Sequence, residues 1–127
     1  MGSEFHRIIK KINQNHMKAQ ENMPTPHGQA NEETIQSWKA TYRKVLAVTV
    51  TDNDEIHAVY FRRPTMEILS MVEKIRKTDS VKAASLLFDN CWIGGSDAIK
   101  DDAVLKMAAI AGFNTTIDQC RVEAKNL

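Results

Sequence analysis

Two runs rich in β-branched and aromatic residues, Arg43–Thr51 and Glu55–Arg62, flank Asp52-Asn53-Asp54, and this pattern constrains the chain more than any other. Val45, Val48, Thr49, Val50, Ile56, Val59, Tyr60 and Phe61 suit a pleated surface. Asn and Asp tolerate the left-handed backbone of a tight hairpin turn. The runs therefore predict a β-hairpin. A lone hairpin is marginal in water, so this one must pack on other elements or pair with another chain. Both faces of each run carry apolar residues, which leaves open which face meets the core.

The rest of the chain reads as helix. Upstream, Asn31 is a helix N-cap, Glu32 and Glu33 complement the positive end, and Ile35, Trp38 and Tyr42 share one face. Pro64 ends the second strand because it has no N–H for a ladder. Thr65 then caps a helix near Thr65–Lys77, with Ile68, Leu69, Val72 and Ile75 at helical spacing. Asp79 or Ser80 caps the next, Asp79–Cys91, with Ala84, Leu87, Phe88 and Cys91 on one stripe. Gly94-Gly95 predicts a chain reversal. Asp101 and Asp102 begin a helix through Val104, Leu105, Ala108 and Ala111, which Gly112 and Asn114-Thr115-Thr116 should interrupt. A terminal helix after Thr115 carries Ile117, Cys120, Ala124 and Leu127. Strands together with helices after them make an α+β domain, with Trp38, Leu69, Val72, Leu87, Phe88 and Leu105 expected in its core.

A length of 127 residues suits one domain, placed at residues 31–127. Residues 1–30 read as a leader and linker. Met1-Gly2-Ser3-Glu4-Phe5 and His16-Met17 have the form of cloning junctions, although Phe5, Ile8, Ile9 and Ile12 also share a helical face. Lys18–Ala30 is polar, with Pro24, Pro26 and Gly28, and holds no period.

Charge and motifs exclude most chemistry. Seventeen basic residues against sixteen acidic give +1, which provides no electrostatic footprint for nucleic acid or membrane and leaves self-association feasible. No apolar run approaches the roughly 20 residues of a membrane span. Cys91 falls at the end of a helix, where the dipole disfavours a thiolate, and His57 lies on a strand with no sequence reason to meet it. With no C-x-x-C pair and no secretory signal, Cys91 and Cys120 are expected reduced, in a cytoplasmic setting. Asp89, Asp97, Asp101 and Asp102 lack calcium-loop spacing, and His6, His16, His27 and His57 never pair at zinc-ligand spacing. Gly94-Gly95 lacks the pattern of a phosphate loop. Arg62-Arg63 beside Tyr60 and Phe61 reads as a solvated strand end rather than a nucleic-acid platform. The expectation is a binding protein without catalytic residues, metal or cofactor.

One combination of segments goes further. Tyr60-Phe61-Arg62-Arg63-Pro64-Thr65, then Leu86-Leu87-Phe88-Asp89-Asn90-Cys91-Trp92-Ile93-Gly94-Gly95, then Ile99-Lys100-Asp101-Asp102 resembles a family of small proteins from phages and prophages of Bacteroidetes that look like tail assembly chaperones. The resemblance runs from about Glu33 to Leu127, and Asn90–Gly95 is its most specific part. It departs from the family pattern at Ser96-Asp97-Ala98, which is less acidic, and at Lys100, which precedes Asp101 without an intervening Thr. The resemblance implies a non-enzymatic factor in the bacterial host cytoplasm that keeps an apolar, helical tail protein soluble, with a tape-measure or tail-tube protein as partner. Such a factor needs an adaptable apolar surface, for which Met66, Met71 and Met107 are candidates, core filling being the alternative for the last two. The contact region expected is Phe61, Arg62, Arg63, Trp92, Ile93, Gly94 and Gly95, with Trp92 and Ile93 as anchors and the arginines as rim. Equally, Trp92 and Ile93 could close the core. The alternative function is a structural or host-interaction subunit whose hairpin extends a neighbour's sheet.

Overall fold

The structure, a computed structural model, describes residues 25–117 and 119–127. The sequence readings for residues 1–24 lie outside the described residues. The chain is α+β, as the sequence predicts, in the order α1 (Glu32–Tyr42), β1 (Val45–Asp52), β2 (Glu55–Arg62), α2 (Met66–Arg76), α3 (Ser80–Cys91), β3 (Trp92–Gly95), α4 (Asp97–Asp101) and α5 (Ala103–Ile117).

Local signals account for most boundaries. Asn53, at φ +53, turns the hairpin after Asp52, and the strands pair antiparallel with Val48 opposite Val59 and Leu46 opposite Phe61. Asn31 Oδ1 accepts from the Thr34 N–H at 2.8 Å, Thr65 Oγ1 from Ile68 at 3.2 Å and Asp79 Oδ1 from Lys82 at 3.0 Å, so each helix starts where its cap residue stands. Asp102 closes α4 through its own N–H to the Ala98 carbonyl, and its carboxylate caps Val104 and Leu105 at the start of α5.

Three expectations are corrected. Gly94-Gly95 is no chain reversal: it belongs to β3, which pairs antiparallel with β2 and completes a sheet ordered β1-β2-β3. The expected break at Gly112 does not occur. The Thr115 and Thr116 hydroxyls donate back to the Ala111 and Gly112 carbonyls at 3.0 Å, and Gly112 lies against Val48, where a Cβ would come within 2.7 Å of Cγ1. Packing on the sheet outweighs the weak helix propensity of these residues. Among the described residues no separate terminal helix follows α5, which itself runs to Ile117, and residues 120–127 carry no regular structure.

The core lies between one face of the sheet and α2–α5. Phe61 from β2 is at its centre, its ring 5.4 Å from Phe88 of α3 in an edge-to-face pair and 4.6 Å from Phe113 of α5. Val59, Val72, Cys91, Ile99 and Ala109 are fully buried around them. Leu87, Phe88, Val72 and Leu105 are buried as expected, but Trp38 and Leu69 are not. Leu69 faces solvent on α2. Trp38 is half-buried on the opposite face of the sheet, where α1 lays it 5.2 Å from Tyr60. Both faces of β2 are therefore covered, by different layers.

The segment before α1, read as linker, joins the fold. His27 exchanges hydrogen bonds with β2, its N–H donating to Ile56 at 2.8 Å and its carbonyl accepting from Ala58 at 2.9 Å, and the Ala30 N–H donates to the Tyr60 hydroxyl. The folded unit thus begins before Asn31. Because Phe88 is fully enclosed beneath the sheet, Phe88→Ala is expected to cost about 3–5 kcal/mol in chemical denaturation, whereas truncation of exposed Leu69 should cost under about 1 kcal/mol.

Candidate protein-binding surface

The residues expected to form a contact region divide between interior and surface. Phe61 is fully buried between Phe88 and Phe113 and is no contact residue. Gly94 and Gly95 serve internal packing. A Cβ on Gly94 would stand 2.7 Å from the Trp38 indole, and one on Gly95 would stand 2.6 Å from the Ala58 carbonyl oxygen. Gly95 also has φ +136, a conformation that side chains oppose. The pair lets the third strand and α1 approach β2 closely, which is the usual meaning of glycine inside a strand. Trp92 is half-buried, its ring 5.3 Å from Phe88 and its face covered by Lys100 Nζ at 4.3 Å. Ile93 is half-buried at the irregularity where β3 shifts register against Tyr60 and Phe61. Arg62 is half-buried with its guanidinium 5.6 Å from the Tyr42 ring, and Arg63 is exposed. Arg62 borders an open groove of about 850 Å³ along α2 that also touches Thr65, Met71, Lys74 and Asn90.

A polar cluster unseen in the sequence lies under the β3–α4 junction. The Ser96 hydroxyl and His57 Nδ1 share a 2.8 Å hydrogen bond, Glu55 Oε2 is 3.4 Å from His57 Nε2, and the His27 ring centroid is 5.0 Å from that of His57. Serine, imidazole and carboxylate in sequence are the components of a hydrolytic relay. Here the Ser96 N–H, which an oxyanion would need, already donates to the Ala58 carbonyl at 2.9 Å, and both Ser96 and His57 are buried. The cluster ties the His27 segment, β2 and the start of α4 together. No local pattern announces it, because its partners are 39 residues apart.

Exposed apolar residues lie on the helices, at Met66, Leu69, Met71, Val81, Val104 and Met107, and on the C-terminal segment, at Val122 and Leu127. In α5, Leu105, Ala109, Ile110 and Phe113 face the core, while Val104 (78 % exposed), Met107 (45 %), Ala108 and Ala111 face outward. Its single charged residue, Lys106, is turned onto α3, with Nζ 2.8 Å from Ser85 Oγ, 3.1 Å from Asp89 Oδ1 and 4.9 Å from the Phe88 ring centroid. A helix apolar all round normally has both sides covered. On α2, Met66 and Met71 are exposed as well, so all three candidate methionines lie on the surface rather than filling the core. The sequence runs this helix through Val104, Leu105, Ala108 and Ala111 without telling its buried side from its exposed one, because apolar residues surround α5 and leave periodicity nothing to resolve.

Among the described residues no cluster of His, Cys, Asp or Glu could hold a metal ion, and no helix is long and apolar enough to cross a membrane. Burial pushes the Cys91 thiol up to about 11, with Arg62 opposing the shift only in part. Comparison with protein-family models, curated proteins and solved structures found no match.

Two outcomes follow from this geometry. Gly95→Ala should destabilise the fold by about 1–3 kcal/mol in thermal or chemical denaturation, through strain at positive φ and contact with the Ala58 carbonyl. Iodoacetamide at pH 8 should alkylate exposed Cys120 and spare Cys91 in the native protein, because the buried thiol stays protonated up to about 11; mass spectrometry reads both sites.

Proposed function

We propose that the chain is a protein-binding module whose principal contact surface is the outward face of α5. The carrying observation is the exposed set Val104, Met107, Ala108 and Ala111, on a helix whose only charge is turned away from it. Exposed methionines on α2 and α5 suit a partner whose apolar surface varies along its length, because Met repacks without a fixed shape. An apolar helix is the natural occupant, since helix against helix excludes water along a stripe of this kind.

The resemblance around Asn90–Gly95 supplies the biological setting. In this reading the protein is a phage tail assembly chaperone acting in the host cytoplasm, and its partner is a long helical tail protein of the tape-measure type. Those signature residues then act indirectly: they build β3 and the floor of the fold, while the helices make contact.

Co-production in bacteria with the tape-measure protein of the same phage tests the proposal. The wild-type domain should keep that partner in the soluble fraction. Val104→Asp with Met107→Glu should abolish the effect while the domain melts within about 0.5 kcal/mol of wild type, as exposed substitutions usually do. A partner equally insoluble with and without the domain contradicts the chaperone reading. Full activity in the double variant contradicts the assignment of the surface.

A further inference from the structure

The sheet has two edges, and they are treated differently. On one side β2 is closed off by β3, a strand of only four residues with a register irregularity, and by His27 beyond it. Short, irregular edges resist pairing with other chains. The other edge is β1, eight residues long, paired to β2 over its full length without interruption.

The hairpin register fixes which backbone groups of β1 lie on that edge. Asp52 and Glu55 flank the turn as a hydrogen-bonded pair, and the pairs alternate from there. Asp52, Val50, Val48 and Leu46 therefore bond to β2, while Val45, Ala47, Thr49 and Thr51 direct their N–H and C=O groups outward. The same parity on β2 sends Ile56 and Ala58 towards His27 and Ser96, as their hydrogen bonds require. Among the described residues nothing bonds to the outward groups of β1. From Val45 to Thr51 the strand contains no proline, no charge and no bulge, the guards that a strand's own sequence can supply to an open edge.

We propose that β1 pairs antiparallel with β1 of a second copy of this chain, about a two-fold axis at Val48. The run Val45–Thr51 is centred on Val48 and flanked by Lys44 and Asp52. This register lays the run wholly on itself, with Ala47 opposite Thr49 and Val45 opposite Thr51. Each facing outward pair then exchanges both its hydrogen bonds. It also sets Lys44 opposite Asp52 at both ends. A shift by two residues either way leaves Lys44 facing Val50 or Asp54 and brings polar turn residues or the α1 end into the ladder. Both Lys44 and Asp52 are exposed, and a net charge of +1 offers little repulsion between copies. The result is one sheet continuous across two copies, an isologous contact that closes on itself.

Sedimentation of the full chain over a range of concentrations tests this. The wild type should be a reversible dimer. Thr49→Pro removes an outward N–H that β2 does not use, so it should give a monomer with an unchanged circular dichroism spectrum. Asp52→Lys places like charges opposite each other twice by symmetry and should weaken the dimer about tenfold. Combining Lys44→Asp with Asp52→Lys should restore it, an outcome no general loss of stability would produce. A wild-type chain that stays monomeric at every concentration overturns the proposal. So does a dimer indifferent to the charge changes, or one the double exchange fails to restore, since either means another surface or register.

Discussion

The structure depends on β2, which is paired along both edges and covered on both faces. Its inward-directed backbone groups pair with β1, and its outward ones are taken in turn by His27, Ser96 and the short strand β3. Its two faces are covered by separate layers, Phe61 and Val59 beneath α3 and α5 and Tyr60 beneath Trp38 of α1. A buried strand with unpaired peptide groups would cost more than this small domain can spare. The close approach of Gly95 to Ala58 and Val59 meets that requirement where β3 pairs with β2. Replacing that hydrogen forces the third strand away from the second, and the Ser96 contact to Ala58 goes with it.

This also explains how much of the fold was legible in the sequence. Elements set by local chemistry read correctly: the Asp52–Asp54 turn and the caps at Asn31, Thr65 and Asp79 each act within a few residues of their own position. Elements set by distant packing did not. Gly94-Gly95 carries the local signature of a turn, and only the presence of Trp38 and β2 makes it a strand. Gly112 and the following threonines carry the signature of a helix end, and Val48 together with Phe113 overrides it. The contact region suffered the same way. Phe61 and Trp92 are large and aromatic, and nothing in one dimension tells a core aromatic from an interface anchor. The structure places the first at the centre of the core and the second half within it.

A division of labour results. The segment that carries the resemblance, Asn90–Gly95, ends α3 and forms β3, while the surface we propose for binding lies on α5, whose one charge is Lys106. Apolar residues on every side of a helix give no moment to read, yet that property leaves a second apolar face once the first is buried. We propose that this second face is where the protein works. Methyl NMR of the domain, with and without the helical tail protein it is proposed to bind, tests that claim most directly. The account expects the Val104 and Met107 methyl signals to shift or broaden on binding, with those of Val59 and Val72 unchanged. Perturbation confined to the Ile93 methyls beside Trp92, with Val104 and Met107 unmoved, would contradict it.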